Sequence, residues 1–213
     1  MSRTVGGYSA EKFSPPVVTD VVSRARLHPP VTAPSGAPVI VVAAAAGWGK
    51  TIFAASWLRA GNDHRKGVWV SLEEADDAPH AFWCAVAAGL MPVVPAGAAD
   101  ALRRVAAGAV AAEELPGAVA AALRLAPDPI AVVLDNLHEL SSPEVHQGLV
   151  RLVERAPSML SLLVTTRRDP PWPRCGNTLQ QIRLVRVELR RPRLPRPIAR
   201  CPLVTQIPLY RRA

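Results

Sequence analysis

The 213-residue chain is poor in cysteine, in aromatic side chains and in long apolar runs, and each shortage closes off a class of explanation. Its three cysteines, Cys84, Cys175 and Cys201, are odd in number and widely spaced. That pattern suggests neither a disulfide framework nor a zinc site, and a reducing, cytoplasmic setting is expected. No N-terminal apolar stretch resembles a secretion signal, and no run approaches the ~20 residues that span a bilayer, so no membrane partner is expected. Lysine is missing altogether from Trp172 onward, where ten arginines face a single glutamate for a net charge of +9. Residues 1–171 sum to −1, so the overall +8 is a property of the tail. A basic tail invites a nucleic-acid reading through phosphate contacts. Beyond Trp172 this one has no interleaved aromatics apart from Tyr210 and no helical or groove-reading pattern.

The informative stretch that is present runs Ala43-Ala44-Ala45-Ala46-Gly47-Trp48-Gly49-Lys50-Thr51. It follows the apolar run Val39–Val42 and precedes a segment with helical spacing, and strand, glycine loop, helix is the context a phosphate-binding loop requires. Glycines let backbone N–H groups converge on one concavity, and the helix N-terminus adds partial positive charge. Lys50 would reach the β- and γ-phosphates of a nucleotide, and the Thr51 hydroxyl would ligate Mg²⁺. The general pattern has glycine six residues before the lysine, where this chain has Ala44. The plain alternative is an Ala/Gly-rich strand-to-helix turn.

Around this loop the chain reads as a succession of strands and helices. Residues 1–37 are Pro-rich and weakly patterned, with little regular structure expected. A strand is predicted over Val39–Ala43 and a helix over Lys50–Ala60. Val68–Leu72 alternates as a strand, and Pro79–Leu90 follows as a helix. Residues 93–126 suggest two helices broken near Pro116. Ile130–Leu134 is a continuous apolar run ending in Asp135, as a buried parallel strand should be. Pro143–Arg155 reads as a helix and Leu160–Thr166 as another apolar strand. The alternation predicts a parallel α/β sheet with helices on both faces.

Ligands of open α/β sheets bind beyond the carboxyl ends of the strands, so Asp135 and the glycine loop should share one crevice. Asp135 there suits a second Mg²⁺-directed group, against a plain capping role. Arg167 ends the next strand on the same side and is a candidate γ-phosphate sensor, against a solvated loop arginine. Trp57, Trp69 and Trp83 read as core, and His138 and His146 as cap or core histidines rather than catalysts. The acidic group Glu73, Glu74, Asp76 and Asp77 reads as a solvated loop and only weakly as a metal site.

These segments together resemble the nucleotide-binding domain of large LuxR-type transcriptional activators related to MalT, within the signal-transduction ATPases with numerous domains (STAND). The resemblance covers roughly residues 11–173. The family's Lys-aliphatic-x-x-Pro opening is matched by Lys12, Phe13 and Pro16, and its Val-x-Arg-x-x-Leu adenine-pocket element by Val22, Arg24 and Leu27. The family loop, Ala-Pro-Ala-Gly-aromatic-Gly-Lys-Thr-Thr-Leu, matches Ala44, Ala46, Gly47, Trp48, Gly49, Lys50 and Thr51, but not Ala45, Ile52 or Phe53. The Ala44 departure is thereby a family habit. Downstream, Trp57-Leu58, Trp69–Glu73 with its sequel, Val133–His138 and Thr166–Pro171 resemble family segments in order and spacing.

The resemblance implies a phosphate-loop (P-loop) NTPase fold that binds ATP and ADP with Mg²⁺. It implies Gly47, Trp48, Gly49, Lys50 and Thr51 as nucleotide contacts, Thr51 and Asp135 at the metal, and Asp135, Asn136 and Arg167 as candidate catalytic positions. It further implies self-association or association with related regulators. Asn136 stands where the family has a second acid; an amide orients water by hydrogen bonds but cannot accept its proton as a base. Binding is expected to persist, with weak ATPase activity at most.

Beyond Pro173 the family pattern ends. The division expected is 1–37, an N-terminal segment with the adenine-pocket element; 38–173, the NTPase core; and 174–213, an Arg/Pro-rich tail, non-native or disordered. Such text is what a GC-rich gene yields when read out of frame. The codons around Val187–Pro195 can be back-translated so that the neighbouring frame gives Glu-Leu-Ser-Cys-Ala-Asp-Leu-Ala-Phe-His, the family's continuation. The sheet is therefore expected to lack its C-terminal strand and lid. The chain is expected to be an N-terminal fragment without a helix-turn-helix and without specific DNA binding. A stand-alone ATPase and a non-functional remnant are the competing readings.

Overall fold

The computed structural model describes residues 4–5, 7–17, 38–60, 66–156, 158–172 and 183–188. Two short strands, β1 (Thr4–Val5) and β2 (Tyr8–Ser9), pair antiparallel and lead into a 3-10 turn over Ala10–Phe13. Then come β3 (Pro38–Ala43), α1 (Lys50–Ala60), β4 (Lys66–Ser71), α2 (Pro79–Leu90), α3 (Ala96–Ala106) and α4 (Leu115–Arg124). The remainder is β5 (Ile130–Asp135), a 3-10 turn over Leu137–Glu139, α5 (Pro143–Arg155), β6 (Leu160–Thr166) and β7 (Arg183–Glu188).

The main sheet has the order β4-β5-β6-β3-β7, and every pairing in it is parallel. Its central strands are apolar without interruption because both faces are covered: all six residues of β5 and all seven of β6 are buried. At the outer edge, Lys66 and Gly67 of β4 are exposed. Period-two alternation divides the core between the two faces. Ile40, Val42, Trp69, Val133 and Leu163 pack with Phe53 and Trp57 of α1. Val39, Val41, Val68, Val70, Val132 and Leu134 pack with α2 to α5 on the other side, where Trp83 is buried. The expected tryptophan core is thus in place, split between the two layers.

One sequence expectation about the sheet needs correction. The expected loss of the last strand does not hold at this edge, because Arg183–Glu188 pairs with β3 in register from Pro38↔Arg183 to Ala43↔Glu188. Without β7, β3 would present a row of unpaired N–H and C=O groups, and an edge partner needs only a compatible backbone, which arginine and proline density around it concealed. The two helices expected over residues 93–126, broken near Pro116, are present, with Pro116 beginning the second. It lies in the first turn of α4, where a missing N–H costs nothing, and the interruption falls over residues 107–114.

A second correction concerns the acidic group: Glu73 and Glu74 are exposed as a solvated loop would have them, but Asp76 is buried and Asp77 half-buried. Asp76 is 3% exposed, and the Lys12 ammonium, 7% exposed, donates to its Oδ2 at 2.7 Å. The same oxygen accepts from the Glu73 backbone N–H at 2.9 Å. Asp77 accepts from the backbone N–H groups of Ser141 and Ser142, both at 2.8 Å, and from the Ser141 hydroxyl at 2.6 Å. Burial opposes its charge, yet these bonds hold its carboxyl below the ordinary range. Ser142 in turn caps α5 by accepting from the Val145 N–H. The loop after β4 is therefore a bracket that fixes both the N-terminal segment and the start of α5. Among the described residues no group of three or more His, Cys, Asp or Glu side chains is placed to hold a metal.

His146 on α5 is buried, with Nε2 3.2 Å from the Leu140 carbonyl oxygen and its ring edge-on to Trp172. Burial pushes its pKa below the ordinary 6.5, despite the opposing effects of the Leu140 carbonyl and Asp77. Between the folded and unfolded values the unfolded chain binds more protons, so stability rises with pH. It is complete above the unfolded value and is lost as pH falls below about 6.5. Thermal melts at pH 7.5, 6.5 and 5.5 should show this decline, with a slope of up to ~1.4 kcal/mol per pH unit for one proton. His146→Gln should flatten it in part, because His138 is shifted in the same direction.

Candidate functional site

Residues 44–49 connect β3 to α1, and the Phe53 N–H donates to the Gly49 carbonyl at 2.9 Å as the helix begins. Gly47 and Gly49 have φ of +75° and +78°. A Cβ at either would meet no atom within 4 Å, so glycine is needed for the backbone conformation and not for space. An L side chain there costs ~1–2 kcal/mol. Trp48, between them, is half-buried against the α1 face of the core.

Lys50 is the first residue of α1 and only 7% exposed. Its ammonium donates to the loop carbonyls of Ala44 at 2.9 Å and Ala45 at 3.0 Å. Burial and then the Arg167 guanidinium lower its pKa, while Asp135 works the other way. This is a desolvated cation resting on neutral acceptors, close to a second cation, and an anion brought to the loop would relieve both penalties.

Asp135 ends β5 and is 3% exposed. The Thr51 hydroxyl lies 3.2 Å from its Oδ1 and 3.1 Å from its Oδ2. On its other side the Thr165 hydroxyl donates to Oδ1 at 2.5 Å and accepts from the Asn136 N–H at 2.9 Å. Thr165 was within sight in the sequence only as part of a strand end; a threonine among leucines and valines was the signal that something polar faced it. Asn136 itself has φ 66° and ψ 40°, a left-handed conformation that asparagine adopts more readily than most residues. Its tight corner starts the 3-10 turn that carries His138.

Arg167 follows β6 and is exposed, near enough for its charge to act on both Lys50 and His138. The structure thus brings Gly47, Trp48, Gly49, Lys50, Thr51, Asp135, Asn136 and Arg167 to one end of the sheet, beyond the carboxyl ends of β3, β5 and β6. Insertion of β5 and β6 between β3 and β4 opens the crevice there. Val22, Arg24 and Leu27 lie outside the described residues.

The residues fit a magnesium–nucleotide group. The buried Lys50 suits phosphate, and the Thr51 hydroxyl beside a single carboxylate suits Mg²⁺, which keeps several of its waters.

The fold is that of P-loop NTPases, a parallel α/β sheet with the glycine loop between β3 and α1. The structure is similar to a signal transduction ATPase with numerous domains from Pyrococcus horikoshii that carries a tetratricopeptide repeat sensor, with 19% identity and a TM-score of 0.56 over 83% of this chain. The match covers 24% of that protein, so this chain spans about a quarter of its length. Cdc6p from Pyrobaculum aerophilum (15% identity, TM-score 0.48, 71% of this chain and 40% of that one) is more distant. So is a chain from the structure of Drosophila ORC bound to AT-rich DNA and Cdc6 (11% identity, TM-score 0.48, 72% of this chain and 48% of that one). No protein-family model matches the chain, and no curated protein matches its sequence. At these identities the likeness is one of fold. No helix among the described residues is long and apolar enough to cross a membrane.

Proposed function

We propose that the chain is an ATP-binding switch module of a LuxR/MalT-like regulator. The observation that carries this reading is the buried Lys50 ammonium on the Ala44 and Ala45 carbonyls, one helical residue from the Thr51–Asp135 pair. Lys50 and the 47–50 backbone would hold the phosphates, Thr51 and Asp135 the Mg²⁺, and Arg167 would sense the terminal phosphate. When bound, the metal neutralises phosphate charge; the chain's own part is to orient the nucleotide and exclude water around Lys50. Asn136 supplies no base, so the site favours occupancy over turnover. The regulator context rests on the ordered motif matches from Lys12 to Pro171. In that context nucleotide state would control association with further copies or with related regulators.

Isothermal titration with ATP and ADP, with and without Mg²⁺, tests the reading. Micromolar binding strengthened by Mg²⁺, with little phosphate release, supports a switch. Absence of binding at millimolar nucleotide refutes it. Rapid turnover lost in Lys50→Ala would instead establish a stand-alone ATPase.

A further inference from the structure

His138 is left unexplained by the site just described. It sits three residues past Asp135, on the turn begun by the left-handed Asn136, and its side chain is 5% exposed. Neither ring nitrogen has a hydrogen-bond partner. Nε2 approaches Glu139 Oε1 at 3.1 Å, but without the alignment of a hydrogen bond. A buried imidazole with both nitrogens unmatched loses more than a satisfied one, and such groups are normally paired in the folded chain. The neighbours whose charges reach it are Arg167, Glu139, Lys50 and Asp135. Three of these four are the groups already assembled around the loop.

We propose that His138 reads the terminal phosphate of a bound nucleoside triphosphate, donating a ring N–H to a γ-phosphate oxygen. The inference rests on the nucleotide-binding reading above. Thr51 and Asp135 would hold the metal, whose charge would draw the terminal phosphate toward the Asp135 side of Lys50. His138 follows Asp135 in the chain and shares the reach of Arg167, so the two side chains belong to the γ-phosphate end. Burial and then Arg167 hold the imidazole below its ordinary pKa, so near pH 7 it is neutral, with one donor and one acceptor nitrogen. A neutral donor binds the phosphate without adding a further cation beside the buried Lys50 and the exposed Arg167. Because a diphosphate lacks the recognised group, the contact discriminates ATP from ADP. It also gives Asn136 a role: its corner conformation, tied to Thr165, sets where the imidazole stands.

The test measures ATP and ADP affinities, both with Mg²⁺, for the wild-type chain, His138→Ala and His138→Gln. His138→Ala should lose about tenfold in ATP affinity, the size of one charge-assisted hydrogen bond, and keep its ADP affinity within about twofold. His138→Gln, which retains an N–H donor, should keep most of the preference. In the wild type, the His138 ring ¹⁵N resonances should shift with ATP and not with ADP. Equal losses for both nucleotides, accompanied by a lower melting temperature, would make His138 structural and overturn the proposal. An unchanged ATP-to-ADP ratio in His138→Ala would overturn it as well, while leaving the P-loop reading intact. If the wild-type chain binds neither nucleotide, the proposed function itself fails and this inference falls with it.

Discussion

Lys50→Ala is expected to weaken ATP binding by about tenfold to a hundredfold, the value of one or two charge-assisted hydrogen bonds of ~1.5–3 kcal/mol each. The fold should survive. In the nucleotide-free chain the ammonium bonds to two loop carbonyls, but it does so desolvated and near Arg167, so favourable and unfavourable contributions largely offset. A net change under ~1 kcal/mol moves the melting temperature by roughly 2–4 °C at this chain length. Calorimetric titration and a thermal melt on the same preparation separate the two effects. A large fall in melting temperature with parallel loss of binding would mean that Lys50 is chiefly structural. Retained affinity would mean that nucleotide is held elsewhere.

Asp76→Ala should be among the most destabilising single substitutions, at ~3–5 kcal/mol, because it strands the Lys12 ammonium in the interior. The pair spans 64 positions in sequence and ties the turn after β2 to the loop after β4. Lys12→Met combined with Asp76→Asn should recover much of the loss, since no charge is then buried and an acceptor remains for the Glu73 N–H. Denaturant unfolding of the two single variants and the double variant gives the coupling directly. Independent, additive effects would show that the pair is not a unit. The consequence extends to the site: the Asp77 carboxylate next in sequence fixes Ser141 and Ser142, just beyond the turn that carries His138.

Much of the fold was legible from residue order. Apolar runs bounded by turns gave β3, β5 and β6, and Lys50–Ala60, Pro79–Leu90 and Pro143–Arg155 matched the observed helices. Strands buried on both faces carry a signal strong enough to survive any local ambiguity. Arg183–Glu188 went unread because an edge strand is defined by its partner's free backbone groups, and local composition there argued for disorder. The loop residues were legible because their chemistry is local: glycine freedom, one lysine and one threonine at consecutive positions. The burial of Asp76 was missed for the opposite reason, since its partner Lys12 lies far away in the chain.

By itself, then, the sequence determined the phosphate-type loop, the alternation of strand and helix, and the substitution of an amide for an acid at Asn136. Those are properties of a residue and its near neighbours, set by backbone freedom, side-chain chemistry and period. Only the tertiary structure decided that Lys50 is buried on its own loop, that Thr165 joins Asp135 to Asn136, that Lys12 neutralises Asp76, and that His138 keeps two unmatched nitrogens beside the site. Each of these depends on which groups are removed from water together, and desolvation is a property of the packed assembly rather than of any stretch of chain.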